Sequence, residues 1–311
     1  MTEAHIPRFA DDWDRPVEYI QRTRDWYLAL GYGNPYRWAH YVDSPFTELT
    51  KPLANSRIAL VTTAAPYDPI KGDQGPGAPY NAGAKFYQVY QGSTATDPDL
   101  RISHVAIDRW HTAATDMQTW FPIHAARRAV GSGRIGELAE SFYGVPTNRS
   151  QRHTLGLDSP DIVKRCHDAG IDAVVLIANC PVCHQTCSLT ARELEESGIP
   201  TVLMGAAKDI VEHCGVPRFL FSDFPLGNAA GIPHDTSSQD LTFELALRTL
   251  ESAPAPRTTV TNPLTWPGSR DWRLDYNNVD KLDAEELARL RAENDEIKRV
   301  AQSVRDKAAD A

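Results

Sequence analysis

Between residues 171 and 223, three short apolar runs, IDAVVLIA, IPTVLMG and RFLFSD, alternate with two amphipathic stretches, QTCSLTARELEESG and AKDIVEHCG. The apolar runs are of strand length and show no polar alternation, which is how strands buried on both faces read. The stretches between them carry helical periodicity, and the first closes at Gly198. Strands joined by helices run parallel, because a parallel neighbour is out of reach of a tight turn and needs a crossover. Right-handed crossovers then cover both faces of the sheet. The expected fold class is therefore α/β, a mostly parallel sheet with helices on both faces, in an arrangement that allows two similar lobes around a cleft. Ligands of such sheets bind at the carboxyl ends of the strands.

The rest of the chain is placed around that unit. RIALVTTAAPYDP reads as a buried strand opening into the long Gly/Pro-rich loop PYDPIKGDQGPGAPYNAG, and DLRISHVAID as a second strand. IHAARRAVGSGRIGELAESFYGVP reads as helical segments broken at Gly131 and Gly133. SPDIVKRCHDAG reads as a helix with Ser159 as N-cap, Pro160 at its first position and Gly170 at its end. QDLTFELALRTLESA is a further helix, and PAPRTTVTNPLTWPGSRDW a Pro-rich surface segment. At the amino terminus an aromatic-rich helix ends where Gly31, Gly33 and Pro35 interrupt it, an arm expected to pack on the body of the protein or on a second subunit, with a contribution to the substrate pocket as the alternative. From Lys281 the tail is a charged helix. Its positions Leu287, Leu290, Asn294, Ile297, Ala301 and Val304 have coiled-coil spacing, from which a homo-oligomer is expected. The expected boundaries are 1–55 for the arm, 56–150 and 151–260 for two α/β lobes, and 261–311 for the Pro-rich segment and tail.

With 311 residues and 41% hydrophobic content, the chain can bury a sizeable core. A net charge of -9 supplies no basic stripe, so neither nucleic acid nor an anionic membrane is an expected partner, and a small molecule is. No apolar run approaches bilayer length, and the acidic amino terminus has no apolar leader core, so a cytoplasmic location is expected.

Three of the five cysteines, Cys180, Cys183 and Cys187, fall in ANCPVCHQTCSL beside His184. Cys180 follows a strand at its carboxyl end, and Cys183 sits at or just before the next helix, where free N–H groups and the helix dipole stabilise a thiolate. Cys180-Pro-Val-Cys183-His184 is literally a c-type haem signature, but haem attachment occurs outside the cytoplasm. Zinc or an iron–sulfur cluster would draw on a second knuckle, and Cys166 and Cys214 are isolated, expected to be small buried side chains. A dithiol pair is easily closed at this spacing. A pair of thiols moving a proton alpha to a carboxylate, as in aspartate/glutamate racemases, is an alternative, as is a zinc-binding or redox-sensing protein. Thr62 and Thr63 end the first strand, and Asp108, Arg109 and His111, with His104, lie near the end of the second. Asp223, Gly227 and Asn228 follow RFLFS at the same sheet edge. All are candidate substrate contacts, with Arg109 a bidentate carboxylate clamp.

Taken together, NCPVCHQTCSLTARELEESGIPTV, FSDFPLGNAAGIP, RISHVAIDRWHT and LALGYGNPYRWAHYVDSPF resemble the selenoprotein B family of glycine, sarcosine and betaine reductases, with the D-proline reductase subunit as a relative. The resemblance runs from about Trp13 to about Trp272. Family members typically carry selenocysteine at the first position of U-x-x-C, and Cys180 stands there. The resemblance implies an oxidoreductase that cleaves an activated carbon–heteroatom bond, typically C–N, with Cys180 as nucleophile and Cys183 as resolving thiol. His184 is then a candidate acid or base, and Cys187 a candidate second resolving thiol. It also implies a dithiol reductant, whether a thiol-reducing protein or a small thiol. A pyruvoyl group is implied only where a second subunit supplies it, so no metal and no bound cofactor are expected in this chain.

Overall fold

The computed structural model describes residues 15–33, 36–74, 80–102, 104 and 106–309. Pro35 and the side chain of Val304, both singled out above, lie outside the described residues. The strand–helix rhythm of the second half folds as β7 (Ala173–Ile177), α5 (Pro181–Glu196), β8 (Thr201–Gly205), α6 (Lys208–Cys214) and β9 (Arg218–Phe221), all parallel. Every residue of these three strands is buried, as their unbroken apolar character requires. At about 1.5–3 kcal/mol for each fully buried Val, Leu or Ile, they anchor the core.

From the first half come β1 (Arg57–Thr62), β2 (Ala65–Pro66), β3 (Tyr90–Ser93), β4 (Leu100–Arg101), β5 (Glu137–Leu138) and β6 (Ser141–Gly144). The helices there are α1 (Tyr19–Ala29), α2 (Ile123–Gly131), α3 (Gln151–His153) and α4 (Ser159–Asp168), followed after the sheet by α7 (Thr236–Ser252), α8 (Trp272–Asp275) and α9 (Ala284–Ala309). Along the sheet the order is β10-β9-β8-β7-β1-β6-β3, with β5 also pairing β1 and β10 spanning Thr258–Thr261. Only β3 runs antiparallel, against β6. Instead of two lobes across a cleft, segments 56–150 and 151–260 share one sheet, because β1 pairs directly with β7 over Ile58–Thr62. The chain leaves β1 towards β6 on one side and returns to β7 on the other, so the topological switch point lies at β1 and β7.

Three local expectations are corrected. Gly131 closes α2, but the residues after Gly133 form β5 and β6, not helix; Gly144 pairs opposite Tyr90 of β3, where its missing Cβ leaves room for the tyrosine ring. Ser159 does not cap a helix, because a π-helical turn, Thr154–Asp158, runs straight into α4; the cap is Ser150, whose Oγ accepts from the His153 N–H. The strand expected over DLRISHVAID is reduced to β4, paired with β2 outside the main sheet, and the Pro-rich segment contributes β10 at its edge.

The amino-terminal arm docks through Val17 and Tyr19 against Ala207, Ile210 and Tyr276, and the Ile20 N–H donates to Asp209 Oδ2 at 2.7 Å. The seam of α9 lies on the chain itself: the Tyr32 hydroxyl donates to Asn294 Oδ1 at 3.3 Å, and Arg291 Nε to the Ala29 carbonyl. No helix among the described residues is long and apolar enough to cross a membrane.

Candidate active site

A cavity of about 1120 Å³ opens above the carboxyl ends of β1 and β7. Its wall includes Cys180, Pro181 and Val182 from the start of α5, His104 and Ala106, and residues 147–150. α1 adds Thr23 and Tyr27, and α9 adds Asn294, Ile297, Lys298 and Ala301. Of the cysteines, only Cys180 lines it.

Cys180 is the N-cap of α5, so the helix begins at Pro181, two residues before Cys183, near which its start was expected. The Cys183 N–H donates to Cys180 Sγ at 3.1 Å, taking the place that a serine or aspartate oxygen usually fills at an N-cap. The pair forms a disulfide with Cα atoms 4.9 Å apart. Cys180 keeps 5% exposure and Cys183 none, so when the bond is open only the first sulfur meets a molecule in the cavity.

His184 is corrected from acid or base to anchor. Its ring is fully buried, with Nδ1 2.7 Å from the Cys180 carbonyl. Nε2 accepts from the N–H groups of Ala206 at 2.9 Å and Ala207 at 3.1 Å. Two donors on Nε2 fix the proton on Nδ1, which donates to Cys180, and burial lowers the pKa to about 4. With no free nitrogen the ring cannot exchange protons with substrate. It ties the start of α5 to the turn after β8, where Gly205 leaves the space it needs: a Cβ there would stand 2.6 Å from the ring.

Cys187 is likewise corrected: it faces the core, donates to the Ile177 carbonyl at 3.8 Å, and burial pushes its thiol well up. Cys166 and Cys214 are buried, as expected of small apolar side chains.

The expected substrate contacts hold the loops around the site. Thr62 Oγ1 accepts from the Ala64 N–H, and Thr63 Oγ1 from Asn179 Nδ2 at 3.2 Å, which joins the ends of β1 and β7. Asp108, buried and thereby raised in pKa, lies 2.9 Å from His111 Nδ1, and His111 Nε2 lies 3.3 Å from Asp275 Oδ2. Asp223 pairs with Arg273, and Asn228 binds the Pro225 carbonyl and the Thr112 hydroxyl. Gly227 has a φ of 115°, a left-handed turn that favours glycine. Arg109 does not line the cavity, and burial lowers its pKa to about 10.

Among the cations that line the cavity, with Lys85, Arg165 and Lys298, is Arg149, which spacing alone did not single out. It is a non-glycine residue at a φ of 55°, a strained conformation of the kind found where side chains are aimed for function. Its Nη2 donates to the Tyr27 hydroxyl at 2.6 Å and its guanidinium lies over the Tyr27 ring. Tyr27 first, then Tyr32 and Tyr80, raise its pKa against the opposing effect of burial. Among the described residues no carboxylate is paired with it. Asp158, in the same wall, is raised to about 6, by burial above all, and accepts from Asn148 Nδ2 at 3.0 Å. His104, Cys180 and Cys183 bring a ring nitrogen and two sulfurs within 4.8 Å of one another. In the disulfide the two sulfurs are bonded to each other; once reduced, they and the ring nitrogen are three potential donors.

The chain is similar to the gamma subunit of D-proline reductase from Acetoanaerobium sticklandii, 29% identical over 212 residues that make up 68% of this chain and 84% of that subunit. It is also similar to component B gamma subunits of the glycine reductase complex. The one from Carboxydothermus hydrogenoformans is 25% identical over 60% of this chain and 42% of that subunit. The one from Symbiobacterium thermophilum is 24% identical over 72% of this chain and 53% of that subunit. The chain thus spans most of the D-proline reductase relative and about half of the glycine reductase ones. These homologues agree with the selenoprotein B resemblance and belong by name to amino-acid reductases. No family model and no solved structure matches the chain.

Proposed function

We propose that this chain, a relative of amino-acid reductase subunits, carries the thiol chemistry of a reductase that cleaves an activated carbon–heteroatom bond, most naturally C–N, in a small carboxylated molecule. The observation that carries the reading is the Cys180–Cys183 pair: one sulfur at a helix N-cap on the wall of a cavity, the other bonded to it and sealed behind it. The helix start and the Cys183 N–H stabilise negative charge on Cys180 Sγ once the pair is reduced.

The cycle has two steps. The Cys180 thiolate attacks the substrate carbon; the carbon–nitrogen bond breaks, and its electron pair leaves with the nitrogen, which takes up a proton. Cys183 then attacks Cys180 Sγ, the carbon–sulfur bond breaks, and carbon keeps that pair and gains a proton. The products are a C–H bond and a disulfide. The disulfide of the structure corresponds to the end of this cycle, and a thiol-reducing protein or small thiol returns it to the start. Arg149 supplies the clamp for the substrate carboxylate, the role first given to Arg109.

A pyruvoyl group on a partner subunit would activate an amine by drawing electrons from the carbon under attack. The cavity exceeds the roughly 300–1,000 Å³ of ordinary small-molecule sites, which leaves room for such a group to reach Cys180.

The test is anaerobic incubation of the reduced chain with α-amino and α-halo carboxylates, followed by intact mass and product analysis. Wild type is expected to lose two thiols per product. Cys183→Ala should stall as a thioether on Cys180, and Cys180→Ala should be inert with its fold intact. Wild-type turnover by Cys180→Ala would end the reading, and proton exchange at carbon without net reduction would favour a racemase.

A further inference from the structure

The resolving step needs a proton carrier, because Cys183 must lose a proton and the departing carbon must gain one. Cys183 is fully buried, so water is not at hand to do it. Of the two histidines near the pair, His184 has both nitrogens committed to backbone groups.

His104 differs. It lines the cavity, and one of its ring nitrogens lies within 4.8 Å of both sulfurs. Nδ1 is buried and has no hydrogen-bond partner. The Thr63 backbone favours the protonated ring, and Nδ1, without a partner, is a ring nitrogen open to a proton. Burial, followed by the nearby cations Lys85 and Arg109, keeps the ring neutral beside the disulfide. A thiolate forming next to it adds the opposite charge and raises its affinity for a proton.

We propose that His104 is the proton carrier of the resolving step, an assignment that rests on the dithiol cycle above. As Cys183 Sγ attacks Cys180 Sγ, the Cys183 proton passes to the imidazole of His104. The Cys180 sulfur–carbon bond breaks with its electron pair on carbon, and that carbon takes the proton from the imidazolium. One S–S and one C–H bond form while one S–C and one S–H bond break. The sulfurs lose two electrons, carbon gains them, and His104 ends neutral as it began.

Phenacyl bromide tests this without knowledge of the natural substrate. Loss of bromide to Cys180 gives a phenacyl thioether, and resolution by Cys183 releases acetophenone and the disulfide. In single-turnover experiments on the reduced full chain, wild type is expected to form the adduct and release acetophenone. His104→Gln and His104→Ala should form the adduct at the wild-type rate but release acetophenone about 10²–10⁴-fold more slowly, the usual worth of a positioned acid–base group. Added imidazole should restore part of the release in His104→Ala, which a merely structural defect would not allow. Wild-type release rates in both variants overturn the role of His104 and leave the dithiol cycle standing. A wild-type adduct that never releases acetophenone overturns the cycle and the role of His104 with it.

Discussion

Replacing His184 separates an anchor from a catalyst. His184→Ala strips the Nε2 acceptor from the N–H groups of Ala206 and Ala207 and the Nδ1 donor from the Cys180 carbonyl, all in a fully buried setting. Two orphaned amides cost about 1–3 kcal/mol each and the lost carbonyl bond about 1 kcal/mol more. Allowing for partial relaxation, a loss of about 3–5 kcal/mol is expected, which at about 2 °C per kcal/mol for a chain of this size lowers the melting temperature by roughly 6–10 °C. His184→Gln keeps a carbonyl acceptor near the two amides and should recover part of the loss. The assay is thermal and urea unfolding of the oxidised protein, alongside phenacyl adduct formation at a temperature where all variants are folded. Adduct formation should stay close to wild type. A variant with wild-type stability that no longer forms or resolves the adduct would refute the anchor reading and restore His184 as acid or base.

Three further outcomes are expected. Arg149→Met should weaken binding of a carboxylate substrate about 10–100-fold, the worth of a charge-assisted bond at about 1.5–3 kcal/mol, seen in KM and not in adduct formation by uncharged phenacyl bromide; an unchanged KM would remove the clamp. Asp158, raised to about 6, binds protons more tightly in the native state than when unfolded, so native stability falls as pH rises through its unfolded pKa towards 6 and the penalty is complete above it. Asp158→Asn should therefore raise stability at pH 8 by up to about 3 kcal/mol and by little at pH 4, and urea titrations at the two pH values that fail to differ would contradict this. Cys187→Ala should cost about 1 kcal/mol while the Cys180–Cys183 disulfide still re-forms in thiol titrations, and failure to re-form would make Cys187 a resolving thiol.

The sheet was legible because its central strands are covered on both faces and so are written as unbroken apolar runs, IDAVVLIA and IPTVLMG among them. The strands that escaped, β2, β3, β5, β6 and β10, are two to four residues long with mixed burial, too short for any period to register. Cys180 was legible because a small polar group between a buried strand and a helix falls where parallel sheets hold their ligands. The roles of its neighbours were not, since spacing places His184 one turn into α5 but says nothing of the amides of Ala206 and Ala207 that claim its ring. Arg149 and the α9 wall come from stretches remote from the cysteines, and only the folded chain brings them to one cavity. His104 showed a weaker signal, a histidine after an apolar run, yet only the folded chain leaves its Nδ1 without a partner beside the two sulfurs.

The central claim is that Cys180 attacks and Cys183 waits. The most direct measurement is limited alkylation of the fully reduced chain with iodoacetamide, resolved by peptide mass spectrometry. Cys180 is expected to label first, with Cys183 and Cys187 lagging well behind. Labelling of Cys183 before Cys180, or of Cys180 no faster than Cys187, would contradict it.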